Sequence, residues 1–281
     1  MYKSHLRFLL VFLFIALQSL PAQAQLTKTW LPKENLFETV IWDPLSGQTG
    51  GSLNAFWDEG EFAEKVYATF VFGMQRSFYK VEYESGLKWD IGLDFGVFTQ
   101  FEFKKNRQNL LNSDFRMGIP ITWMKDSWAF RLNIFHLSSH FGDDYIFRND
   151  IEDYTPVSLT YEQIDLSFYH FQGQSRYYVG LGIVLRSNAE RKLFSFHAGF
   201  DGSRVINQAK TISLIWGAHL NLDQQTDYKI GIKPGIGLQF GKDVQKPLKL
   251  IFEFYTGPTP YGAYEFNSIT QLGLGLYYSP F

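Results

Sequence analysis

The chain has 281 residues, with 26 Lys and Arg against 28 Asp and Glu, a net charge of −2, and no cysteine. That balance, with no basic run, argues against nucleic acid as a partner, and the lack of thiols excludes disulfides, thiol catalysis and thiolate-held metals. Aromatic residues make up 18% of the chain while mean hydropathy is only −0.16, a combination that suits strands with one apolar and one polar face.

Residues 1–24 read as a secretory signal. Lys3 and Arg7 form a basic start, Phe8 to Leu17 an apolar stretch, and Ala22-Gln23-Ala24 a small-x-small cleavage site. The apolar stretch is too short to anchor as a helix. The leader takes two basic residues and no acidic ones, so the remainder carries −4. Residues 25–64 come next and lack a sustained period, being interrupted by Pro32, Pro44, Gly47, Gly50 and Gly51. They are expected to form a periplasmic or plug-like segment that contributes a strand near Ser52–Trp57.

From Val66 onward, apolar and polar residues alternate at every second position. In Leu87-Lys88-Trp89-Asp90-Ile91-Gly92-Leu93-Asp94-Phe95-Gly96-Val97 the odd positions are all large and apolar, and the even ones are Lys, Asp or Gly. A period of two belongs to β-strands. Eleven such runs follow one another, near 66–76, 86–103, 113–124, 127–138, 161–171, 176–186, 192–200, 211–222, 227–240, 247–256 and 271–280. Strands of this length and pattern form transmembrane barrels, which in bacteria have an even strand number. The expected fold is therefore an all-β, antiparallel transmembrane barrel of about 12 strands over residues 65–281. Its location is the bacterial outer membrane, and its partners are membrane lipids and, during biogenesis, the barrel assembly machinery.

Loop lengths set a direction, since periplasmic turns are short. Counting back from a periplasmic C-terminus, Ser139–Thr160 and Gly257–Thr270 fall outside the cell, and Lys125–Ser127 and Gly173–Ser175 inside. The final Leu272–Phe281 resembles the C-terminal assembly signal of outer-membrane barrels, although Phe281 is out of phase unless Pro280 bends the strand.

Most polar residues have a structural explanation. Arg116, Arg131, Asn133, Gln163, Asp165, His197, His219, Lys229 and Lys233 sit on the lumen phase, where water or neighbouring charges satisfy them. Gly231, Gly235, Gly237, Gly273 and Gly275 lie inside strands rather than at a strand-to-helix turn, so they make no nucleotide site.

His136-Leu137-Ser138-Ser139-His140-Phe141-Gly142-Asp143-Asp144-Tyr145 stands apart. His136 and Ser138 share one side of their strand, and unbroken alternation from Trp128, Phe130, Leu132 and Ile134 puts both on the lipid-facing wall. A bulge would turn His136 inward instead. Three readings compete. A His-x-Ser pair on the outer wall resembles the catalytic arrangement of outer-membrane phospholipase and of lipid A deacylase, with His136 as base, Ser138 as nucleophile and Asp150 or Asn149 orienting the histidine. His140, Asp143 and Asp144 are alternatively ligands for a divalent cation, calcium or zinc. The third reading is a hydrogen-bonded knot between loop and barrel rim. A passive small-solute pore is the remaining function class, supported by the polar lumen phase.

The blocks Asp94–Phe101, Ser113–Pro120 and His136–Tyr145, with Trp30-Leu31-Pro32, Trp42-Asp43-Pro44 and Tyr255–Gly262, resemble the uncharacterised bacterial family known as domain of unknown function 1207. The His-x-Ser-Ser-His-x-Gly-Asp block is the most specific part. The resemblance spans nearly all of the chain after residue 24, and Asp144 stands where the family usually has Glu. It implies an outer-membrane-type protein and leaves the chemistry open.

Overall fold

The computed structural model describes residues 25–57, 66–104, 107–148, 159–241 and 247–278. The expected leader, Asn149, Asp150 and the Pro280–Phe281 phase break lie outside the described residues. Thirteen strands run in chain order: β1 (Gln25–Trp30), β2 (Thr49–Trp57), β3 (Val66–Tyr83), β4 (Lys88–Lys104), β5 (Arg107–Lys125), β6 (Trp128–Phe141), β7 (Leu159–Gln172), β8 (Ser175–Ser187), β9 (Phe194–Val205), β10 (Ile212–Asp223), β11 (Ile230–Phe240), β12 (Leu248–Pro258) and β13 (Ser268–Tyr278). A short helix, α1 (Asp143–Arg148), follows β6.

From β2 to β13 each strand pairs antiparallel with the next, and β13 returns to β2, so twelve strands close a barrel. Closure gives every strand of the ring a neighbour on both sides. The strand that joins the eleven sequence runs is β2, hidden by Gly50 and Gly51 at its start. β1 lies outside the ring, along the part of β3 (Tyr79–Tyr83) that β2 does not reach. The end of β6, the start of β7 and connection 259–267 fall at one end of the barrel, and turns 126–127 and 173–174 at the other.

The alternation sorts side chains as expected. On β4, Asp90, Asp94, Phe98 and Gln100 point inward and are buried, while Trp89, Ile91, Leu93 and Phe95 lie on the outer wall. That wall is apolar in register. Ile119, Ile134, Ile164 and Ile183 form one cross-strand row on β5 to β8. Ile121, Leu132, Leu166 and Leu181 form the next, then Trp123, Phe130, Phe168 and Val179. Trp128, His170 and Tyr177 close the series near the short-turn end. Trp128 and His136 are separated by eight residues, which at about 3.3 Å each and a ~40° tilt span roughly 20 Å. That is close to the ~25 Å apolar band of a membrane barrel.

Residues 31–48 run inside the barrel, where the inward charges hold them. Arg176 donates to the Glu38 carbonyl at 2.7 Å while pairing with Asp201 at 2.6 Å. Arg116 bridges the Leu45 carbonyl and Asp94. Asp90 accepts from the Leu36 N–H, and Gln75 donates to the Phe37 carbonyl. Arg116 and Arg131, expected to be satisfied by water or neighbouring charges, are both drawn into this network, since Arg131 pairs with Gln75 and stacks on Phe37. Trp42 is fully buried in a slot formed by Gly217 and Gly235, which face each other across β10 and β11. A Cβ at either position would collide with the indole. Lys229 departs from its expected lumen position. It lies exposed in the turn before β11.

Connection 259–267 covers the opposite end. Tyr261 and Tyr264 are buried, and Tyr264 donates to the Leu111 carbonyl at 3.0 Å. Arg191 grips both carboxylate oxygens of Glu265 at 2.8 and 3.0 Å. Burial pushes the Glu265 carboxyl above its ordinary value, and Arg191 opposes that shift. Between this cover and the tip of the inner segment remains a lumen cavity of about 140 Å³, lined by Asp43, Arg116, His197 and His219.

Candidate functional site on the outer wall

β6 pairs with β5 and β7 without a register shift from Trp128 to its upper end. No bulge therefore turns its side chains. Arg131, Asn133, Phe135, Leu137 and Ser139 point inward and are buried, and Trp128, Phe130, Ile134, His136, Ser138 and His140 take the outer face. The unbroken alternation splits the His136–His140 motif between two jobs.

The inward half is a knot. Ser139, fully buried, donates to Asp114 Oδ1 at 2.5 Å and accepts from the Ala263 N–H at 2.7 Å. Asp114 Oδ2 accepts from the Gly262 N–H at 2.9 Å, and Asn112 donates to Asp114 Oδ1 at 3.3 Å. These bonds tie the covering connection to the barrel wall. Gly142 then lets the chain leave β6 against the Leu110 carbonyl, a space that a Cβ would fill.

The outward half carries the reactive groups. Ser138 Oγ and His140 Nε2 share a hydrogen bond of 2.6 Å. His136 Nδ1 faces Glu162 Oε1 at 3.1 Å, and both side chains are partly exposed, at 47% and 36%. Glu162 lies on β7 directly opposite His136. Phe115 lies beside Ser138 on β5 and meets the His140 ring edge-on, with centroids 5.9 Å apart. Directly beneath runs the isoleucine row. The structure thus brings together four polar groups, His136, Ser138, His140 and Glu162, at the upper edge of the apolar wall.

Sequence reasoning reached His136, Ser138 and His140 and did not reach Glu162. Its only signal was a carboxylate on the outward phase of the next run, among apolar neighbours, and pairing register decides whether such a residue meets the histidine. The expected orienting residues, Asp150 and Asn149, lie outside the described residues. The cation reading finds little geometry. Asp144 accepts from the Leu110 N–H at 3.0 Å, and Asp143 is exposed at the start of α1. His140 is turned to Ser138, and among the described residues no three His, Asp or Glu side chains converge to hold a metal.

Chemically, a hydroxyl flanked by imidazoles, one of them held through Nδ1 by a carboxylate, has the parts of a serine hydrolase. The barrel is similar in fold to the outer membrane phospholipase A of Escherichia coli, with a TM-score of 0.55, 12% identity and coverage of 88% of this chain and 94% of that one. It is similar to the same extent to the Salmonella typhi outer membrane phospholipase, crystallised as a dimer with bound calcium, at a TM-score of 0.55, 12% identity and coverage of 89% and 95%. At such identities the likeness shows the fold alone. No curated protein matches the sequence. The family model described as "Protein of unknown function (DUF1207)" matches residues 16–280. Twelve closed strands, a lumen occupied by the inner segment and an apolar outer wall therefore describe an outer-membrane-type barrel, and the chain belongs to the DUF1207 family.

Proposed function

We propose that this protein resides in a bacterial outer membrane, delivered by its residue 1–24 signal, and that its outer wall hydrolyses lipid esters. The end carrying α1 and connection 259–267 would then face the cell exterior. The observation that carries the reading is the Glu162–His136 pair beside Ser138, set on the wall where the apolar rows end. Ester groups of a membrane lipid lie at that level, with acyl chains against the isoleucine and leucine rows. The fold likeness to a protein named as a phospholipase adds support.

In this reading Ser138 Oγ attacks the ester carbonyl carbon and gives its proton to His136 Nε2. Glu162 holds the Nδ1–H and stabilises the imidazolium. The tetrahedral adduct collapses, the alcohol oxygen leaves with the proton from His136, and an acyl group stays on Ser138. Water then attacks that acyl group, His136 takes the water's proton and returns it to Ser138, and the fatty acid departs. A second assignment makes His140 the base, favoured by its 2.6 Å bond to Ser138. The filled lumen counts against a passive pore.

The test is hydrolysis of dispersed phospholipid and lipid A by purified protein. Ser138→Ala is expected to remove activity by about a thousandfold or more, and loss of the base by about a hundredfold. His136→Asn and His140→Asn decide between the two bases. Wild-type protein without ester hydrolysis on either lipid would refute the reading.

A further inference from the structure

The row that holds Glu162 continues onto β8. Below it, β7 and β8 pair residue for residue, from Gln163 with Val184 to Gln172 with Ser175. Above Gln163 the register slips by one, and Glu162 faces Arg186. An unbroken register would have set Leu185 opposite Glu162. The bulge therefore replaces an apolar side chain with a guanidinium, at the top of an otherwise apolar wall. Bulges re-aim side chains in this way and are frequent beside active sites.

Arg186 is exposed. Glu162, its cross-strand neighbour, is turned to His136 instead. A charged side chain placed by a register shift, with its natural partner committed elsewhere, is free to take an external anion. β8 lies two strands from β6, about 10 Å at the usual strand spacing, within reach of a long side chain extended toward Ser138. Arg186 shares the row of Glu162 and His136, one step below that of Ser138, so its long side chain, extended outward, reaches the phosphate of a lipid with its ester at Ser138 and acyl chains against Ile134, Ile164 and Ile183. The planar guanidinium fork matches two phosphate oxygens.

We infer that Arg186 is a specificity-determining residue that binds the phosphate of the lipid presented to Ser138. The placement of that lipid rests on the hydrolase reading, but the binding is measured apart from hydrolysis. Ser138→Ala protein in neutral detergent is titrated with phosphatidylethanolamine, with lipid A and with diacylglycerol, and native mass spectrometry reads the bound fraction. Adding Arg186→Gln is expected to weaken the phosphate-bearing lipids by about tenfold, as loss of a charge-assisted hydrogen bond predicts, and to leave diacylglycerol unchanged. Arg186→Lys should recover part of the loss. Weakening of only one phosphate lipid identifies it as the source. Equal binding of both by the Arg186→Gln protein, or an equal loss for diacylglycerol, would overturn the inference. Absence of hydrolysis with phosphate-dependent binding intact would refute the enzyme and spare the site.

Discussion

Ser138 and Ser139 are neighbours in the chain with opposite surroundings. Ser139 holds Asp114 and the Ala263 N–H in a buried knot, whereas Ser138 sits partly exposed on the outer wall against His140. Replacing Ser139 by Ala leaves the Ala263 N–H without its acceptor and Asp114 Oδ1 with Asn112 alone, so a loss of about 1–3 kcal/mol is expected. Ser138→Ala removes no buried partner and should unfold at the wild-type midpoint. Thermal unfolding of the two variants in one detergent checks the pair. Equal midpoints for Ser139→Ala and wild type would mean that the knot adds nothing.

At the scale of elements, the inner segment 31–48 is held by side chains from several strands rather than by strand pairing. Arg176, Arg116, Gln75 and Asp90 each bond its backbone. Trp42 fills the Gly217–Gly235 slot, so Trp42→Ala should cost about 3–5 kcal/mol, the range for emptying a buried large aromatic site. Deleting residues 33–47 is expected to open the lumen, provided connection 259–267 can be displaced as well. Single-channel recording in a planar bilayer should then show conductance that the intact protein lacks. Equal conductance in both would show that the segment does not block the lumen.

For the whole molecule, a closed barrel with an apolar outer wall is expected to fractionate with outer membranes, to resist salt extraction and to migrate in a heat-modifiable way on gels. Recovery as a soluble periplasmic protein would contradict all three. Because the chain lacks cysteine, single replacements can report direction. Asp150→Cys should react with an impermeant reagent on intact cells, and Asp126→Cys should not. The reverse pattern would invert the barrel.

The alternation of apolar and polar residues is a local property, and it determined eleven strands of the ring and the outer wall, while the even strand number followed from the rule for bacterial barrels. The alternation left His136 and Ser138 with two possible placements, and the uninterrupted register of β6 decided for the outer wall. The strand β2 was only faintly legible, because Gly50 and Gly51 carry no side chain to mark a face. Register across strands is different in kind. It depends on the length and path of connections, so residues 26 positions apart such as His136 and Glu162 become neighbours only when β6 and β7 pair. The same holds for the slip that exchanges Leu185 for Arg186. The inner segment carries no period at all. Its place was decided by buried arginines whose charge must be met inside the barrel, and by two glycines that leave room for one indole.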